Sequence, residues 1–198
     1  MSKECVAGSA LLSEAFAFLG NSLLSSMGRS SSIGLDPGFW DEFPSFGCAG
    51  VEDAARELAR FAREDGATAQ SVDVEYAKLF VGPPKPAAMP WESSYRGNER
   101  TVGFGQAAHE MRALLRENKL ALSGESNQYA DHMGIELLLL AELLRRGDAS
   151  AAAAFAASHP SVWIDDLRAA VDATCPNGYY SRLLALVSEL LAAVGTCQ

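Results

Sequence analysis

Positive charge is scarce in this 198-residue chain and is nowhere gathered. Sixteen Lys and Arg stand against 25 Asp and Glu, a net charge of -9, and Arg145-Arg146 is the one adjacent basic pair. Phosphate backbones demand Lys and Arg clusters, so nucleic acid is excluded as a natural partner. Cysteines are few and scattered at 5, 48, 175 and 197. No pair has CxxC spacing, which leaves zinc ribbons and thioredoxin-like motifs without support; free thiols in a reducing compartment are the reading. Long apolar runs are missing. Met133 to Leu144 is the most apolar segment, yet it carries Glu136 and Glu142 and is too short to span a bilayer. The apolar stretch Ala10 to Leu19 is broken by Glu14, and Lys3 is offset by Glu4, so no secretory leader is read. A cytoplasmic protein is expected.

Catalytic signatures are equally thin. There is no GxSxG elbow and no Walker sequence, and Gly103-Phe104-Gly105 is a lone GxG outside any βαβ context. No useful stretch alternates apolar and polar residues as a half-buried strand would.

What is present is helical period. Val51, Ala54, Ala55, Leu58, Phe61 and Ala62 repeat at i, i+3, i+4, i+7. A first helix opens at Ala10 and ends near Gly28. Ser71 is placed to cap a helix running through Phe80, which Gly82 stops. Phe104 to Leu115 marks another. Ser126 or Asn127 is placed to cap a longer one reaching Arg146. Asp148 caps the alanine-rich Ala149 to Ala157, Pro160 suits a first turn, and Tyr179 to Leu191 forms the last helix. The expectation is a single all-α globular domain, residues 1–198, of about eight or nine helices. A Ser-, Gly- and Pro-rich connector, 29–50, is pinned to the core by Phe39, Trp40, Phe43 and Phe46.

The segment Tyr76 to Tyr95, YAKLFVGPPKPAAMPWESSY, holds four of the eight prolines between Pro83 and Pro90. Proline fixes φ and removes a donor, so this is neither helix nor central strand. The loop 82–102 exceeds the about 12–15 residues usual inside compact domains, and Met89, Trp91 and Tyr95 argue against a disordered linker. Two readings stand for its aromatics: a stiff recognition surface, or packing of the loop onto the core. A second constellation is Asp131-His132 with Glu136. Four residues apart on a helix, His132 and Glu136 share a face. They read as a hydrogen-bonded pair fixing the helix, with His132 neutral or held by a carboxylate, or as two ligands of a metal site that would need a remote third.

At these residues the chain resembles the TorD/DmsD family of cytoplasmic molybdoenzyme chaperones, related to the NarJ-type proteins. The resemblance rests on Tyr76-x-x-Leu79-Phe80-x-Gly82-Pro83, on Pro90-Trp91-x-Ser93-x-Tyr95, and on Asp131-His132-x-x-x-Glu136-Leu137. His159, Trp163 and Tyr179-Tyr180 extend it. Where many members carry Glu-Pro shortly before Asp-His, this chain has Gln128, Tyr129 and Ala130. The resemblance implies a non-enzymatic helical protein without a cofactor, monomer or homodimer. It implies binding of the twin-arginine signal peptide and apo form of a molybdopterin oxidoreductase precursor until the molybdenum cofactor is inserted. The signal-peptide positions it implies are Tyr76, Leu79, Phe80, Gly82, Pro83, Pro86, Pro90, Trp91, Ser93, Tyr95, Asp131, His132 and Glu136. A groove walled by Leu79, Phe80, Trp91 and Tyr95 would take the apolar part of the peptide, and Asp131 and Glu136, then Glu92, would meet its arginines. The competing expectations are a metal-dependent enzyme using His132 and Glu136, and an adaptor whose proline loop reads some other protein.

Overall fold

The computed structural model describes residues 3–97, 102–121 and 128–194, with side chains from residue 8 onward. Nine α-helices lie among them: α1 (Lys3–Leu24), α2 (Pro37–Asp41), α3 (Ala49–Ala62), α4 (Ala69–Tyr76), α5 (Gln106–Glu117), α6 (Met133–Arg145), α7 (Ala149–Ser158), α8 (Ile164–Thr174) and α9 (Tyr179–Val194). Among the described residues extended pairing is limited to one isolated antiparallel bridge, between Trp91 and His132. The all-α expectation holds. No described helix is long and apolar enough to cross a membrane.

Helix α6 is apolar nearly all round, and such a helix must be covered on every side. Helix α1 covers one side of it by backbone approach. A Cβ on Gly20 would sit 2.7 Å from the Gly134 carbonyl oxygen, and one on Gly134 would sit 2.6 Å from that of Gly20. Small residues keep the seam narrow further along, where Ser13 Oγ donates to the Ala141 carbonyl at 2.8 Å. Phe16, Leu19, Leu137 and Leu140 are fully buried there, each worth about 1.5–3 kcal/mol of burial. Helix α9 is the second buried pillar. Its N-terminus is closed from outside by Glu75 of α4, whose two carboxylate oxygens accept the Tyr179 and Tyr180 N–H groups at 3.0 and 2.9 Å. A carboxylate there meets both the unpaired donors and the positive end of the helix dipole.

Within 29–50 the chain forms a 3-10 turn, Ser32–Leu35, and α2. Asp36 caps the short α2, Trp40 Nε1 donates to the Gly34 carbonyl at 2.8 Å, and Phe18, Phe39, Trp40, Phe43 and Phe46 form a chain of ring contacts.

Several helix ends differ from the sequence expectation: α1 begins at Lys3, not Ala10, and α5 at Gln106, not Phe104. The first helix stops at Leu24, because Ser25 to Ser30 turn back on themselves. Thr68, not Ser71, is the N-cap of α4; Ser71 stands at the third position and bonds back to the Thr68 N–H, completing a capping box. Helix α6 begins at Met133 with His132 as its N-cap; Ser126 and Asn127 lie outside the described residues. Asp148 caps α7 through the Ala151 N–H, and Pro160 opens a 3-10 turn, Pro160–Val162.

Candidate functional site

The chain leaves α4 through a wider, π-type turn, Ala77–Val81, closed by the Gly82 N–H on the Ala77 carbonyl. Here Leu79 and Phe80 both point inward and are buried. Phe80 meets the rings of Tyr76 and Tyr180 edge-on at 5.5 and 5.1 Å. Gly82 then adopts φ +93°, and a Cβ would lie 2.6 Å from the Lys85 backbone, so only glycine fits. The proline loop starts from that bend. Pro83 is exposed, Pro86 and Trp91 are half-buried, and Pro90 is buried.

Backbone and side-chain bonds fasten the loop to the start of α6. The Glu92 N–H donates to the Asp131 carbonyl and the Met133 N–H to that of Pro90, both at 2.9 Å. Asp131 Oδ2 accepts the Ser93 N–H at 2.9 Å, and Ser93 Oγ accepts the Gly103 N–H at 3.0 Å. The two motifs, 38 residues apart at Ser93 and Asp131, thus form one junction. Residues 98–101 of the loop lie outside the described part.

His132 is 1% exposed. Its Nδ1 accepts the Gly134 N–H at 3.0 Å, so the proton of a neutral ring sits on Nε2. Burial pushes its pKa down to about 3, and the ring is neutral. No carboxylate holds it, and it does not bond Glu136. Glu136 instead accepts the Trp163 Nε1–H at 3.0 Å. One helical turn places these two residues on a common face only where both are helical; His132 has the extended backbone of a cap.

Below the junction is a buried acid-base network absent from the sequence reading. Glu92 pairs with Arg96, and the His159 Nδ1–H donates to its other oxygen at 3.0 Å. Burial opposes the Glu92 charge, but His159 and Arg96 outweigh it and hold the carboxyl below its ordinary range. Glu136 is pushed well up, first by burial and then by the Glu92 charge beside it. Both causes favour its protonated form beside the Glu92 carboxylate. Among the described residues, Glu92, Glu136 and His159 are the group whose potential ligand atoms come together, within 4.8 Å; His132 is not in it. Arg96 pairs with the Glu92 charge.

The expected site residues therefore separate into two sets. Tyr76, Leu79, Phe80, Ser93, Asp131, His132 and Glu136 are interior, as is Glu92. Tyr95 stacks on Trp163 at 5.5 Å, packing the loop down. The groove drawn from the sequence has its Leu79 and Phe80 wall turned into the core, with Phe80 against Tyr180 of α9. Trp91 remains at the surface. It meets Tyr129 edge-on at 5.7 Å, and Tyr129 meets Phe104 at 5.7 Å. Phe104 is 68% exposed and Tyr129 36%. Periodicity assigned Phe104 to a helix face, and nothing in the sequence joined it to Tyr129, since loop contacts leave no period.

One further property marks the junction. Among the described residues, seven buried side-chain polar atoms have no hydrogen-bond partner in the protein, and four belong to it: Trp91 Nε1, Ser94 Oγ, Asp131 Oδ1 and His132 Nε2.

The profile of the nitrate reductase delta subunit family matches residues 47–169, more than half of the chain and all of the junction. The chain belongs to this family. Within the nitrate reductase delta subunit family it is similar to the chaperone protein TorD of Shewanella loihica, 28% identical over 126 residues, which is 62% of this chain and 60% of that protein. It is also similar to the probable Tat proofreading chaperone DmsD of Haemophilus influenzae, 31% identical over 74 residues, 37% of this chain and 36% of that one. The Tat proofreading chaperone DmsD of Salmonella typhi is 33% identical over 78 residues, 39% and 38% of the two chains. The chain thus spans between 36% and 60% of the length of these relatives.

Proposed function

We propose that this protein is a non-enzymatic cytoplasmic chaperone, monomer or homodimer. It binds the twin-arginine signal peptide and apo form of a molybdopterin oxidoreductase precursor, assisting cofactor insertion and preventing premature export. Membership of the nitrate reductase delta subunit family and similarity to proteins named Tat proofreading chaperones support the class. The observation that carries the site is the fastening of the proline loop to the start of α6, where Asp131 accepts the Ser93 and Glu92 N–H groups and the two motifs meet. Of the expected binding residues, Pro83, Pro86 and Trp91 reach the surface, and Pro90, Ser93, Asp131, His132 and Glu136 set the shape and polarity behind them. Tyr76, Leu79, Phe80, Gly82 and Tyr95 fix the bend and seat of the loop. A net charge of -9 favours encounter with an arginine-bearing peptide.

The test is co-expression with a molybdopterin oxidoreductase precursor, with and without its twin-arginine leader. Co-elution that depends on the leader is expected. Co-elution with neither form would remove the proposal.

A further inference from the structure

We propose that Glu92, Glu136 and His159 form a binding site for one divalent metal ion of the zinc class, which ties the proline loop to α6 and α7. The inference goes beyond the chaperone reading and stands without it.

The three ligands come from three segments. Glu92 follows the proline loop, Glu136 lies in the first turn of α6, and His159 ends α7. The sequence paired Glu136 with His132; the fold brings it His159 and Glu92 instead. Both carboxyls are fully buried and the imidazole nearly so. Each carboxyl is held from outside by one oxygen, and its other oxygen is left to the cluster. Arg96 takes Glu92 Oε1, which leaves Oε2 against His159 Nδ1 at 3.0 Å. The Trp163 Nε1–H takes Glu136 Oε2 at 3.0 Å, which leaves Oε1 buried without a hydrogen-bond partner. Phe155 stacks on the His159 ring at 5.1 Å and sets its plane. Outer donors that orient ligating carboxylates are the usual surroundings of a metal site.

Distance and charge select the occupant. One ligand atom from each residue lies within 4.8 Å of the others. Zinc holds nitrogen and oxygen ligands at about 2.0–2.2 Å, which spaces them roughly 3.3–3.6 Å apart, so a contraction of about an ångström closes the set. Fully ionised, Glu92, Glu136 and the nearby Asp131 carry three negative charges against the Arg96 guanidinium. A divalent ion supplies the difference. Mixed imidazole and carboxylate ligands fit zinc and its first-row neighbours, whereas calcium and magnesium take oxygen ligands. Binding releases the Glu136 proton and moves the His159 proton from Nδ1 to Nε2, so the imidazole coordinates as a neutral ligand. The Arg96 side chain is 44% exposed. It marks the side by which the ion enters and water fills the fourth position.

The test uses the full chain, stripped with a chelator, dialysed and titrated with zinc chloride against a chromophoric competitor. One zinc per chain is expected. Glu136→Gln and His159→Gln should each weaken binding about a hundredfold or more, and Trp163→Phe, which removes an outer N–H, about tenfold. Zinc held by Cys48 or Cys175 would be indifferent to all three variants. That outcome, or no stoichiometric binding by the wild type, would overturn the proposal. Circular dichroism separates loss of folding from loss of binding. A further reading needs no variant: in histidine 15N spectra of the wild type, the His159 ring should shift on addition of one equivalent of zinc. A shift of the exposed His109 ring alone would place the ion elsewhere and sink the proposal as well. Leader-dependent co-elution is measured separately, and neither zinc result alters it.

Discussion

Ser93 donates its backbone N–H to Asp131 Oδ2 at 2.9 Å, and that bond closes a 38-residue excursion of the chain. The donor and its acceptor are both buried. Removing the acceptor leaves a buried N–H with no partner, a loss of about 1–3 kcal/mol. Asp131→Ala is expected to lower the unfolding free energy from urea melts by that amount. Asp131→Asn keeps an oxygen for Ser93 and should lose less. Equal losses for the two variants would show that the carboxyl fastens the loop by another route.

His132 gives stability a pH dependence. Its pKa falls from 6.5 to about 3 on folding, so the unfolded chain binds the extra proton between those values. The stabilisation is full above about 6.5 and is lost as pH falls toward 3, by an amount on the order of a few kcal/mol. Asparagine can accept the Gly134 N–H as a cap without titrating. Urea melts of His132→Asn should therefore show a flatter profile between pH 6.5 and 4.5 than the wild type. Parallel profiles would contradict a buried neutral histidine.

Glu136 acts with the opposite sign. Its folded pKa is raised by burial and by Glu92, so its contribution is present below about 4.5 and is lost as pH rises through the raised value. Glu136→Gln keeps an acceptor for Trp163 and a donor toward Glu92, with no proton to lose. The variant should gain on the wild type as pH goes from 5 to 8, read by melting temperature. A constant difference across that range would mean that Glu136 is already ionised.

The α1–α6 seam has no room for a methyl group. Gly134→Ala would place its Cβ 2.6 Å from the Gly20 carbonyl oxygen and 2.7 Å from Leu24. Forced separation of two packed helices costs about 1–3 kcal/mol. Thermal unfolding should show the loss. Ala154→Gly, on the exposed face of α7, gives the comparison for a change of propensity alone, about 1 kcal/mol.

Helix positions were legible because amphipathic period survives in the sequence: α3, α5 and α9 stand where their apolar residues repeat. Caps were legible only when side chain and backbone lie in one segment, as at Asp148. Glu75 closing α9 was not, since its acceptor and donors are about a hundred residues apart. The same limit applies to the site. The motifs marked Trp91, Asp131 and His132 as belonging together, but Arg96 and Glu92 with His159, and Phe104 with Tyr129, meet through folding that no local pattern records.

Composition and periodicity by themselves determined an all-helical acidic chain with a proline loop that no helix could absorb. Burial was the property only tertiary structure decided. Leu79 and Phe80 of the π turn at Ala77–Val81 face inward, the Ser93–Asp131 bond holds the carboxylate inside, and desolvation makes His132 neutral and favours a protonated Glu136. A residue's type sets what chemistry it can do; its access to water sets which charge it carries, and that access depends on chain segments far away in sequence.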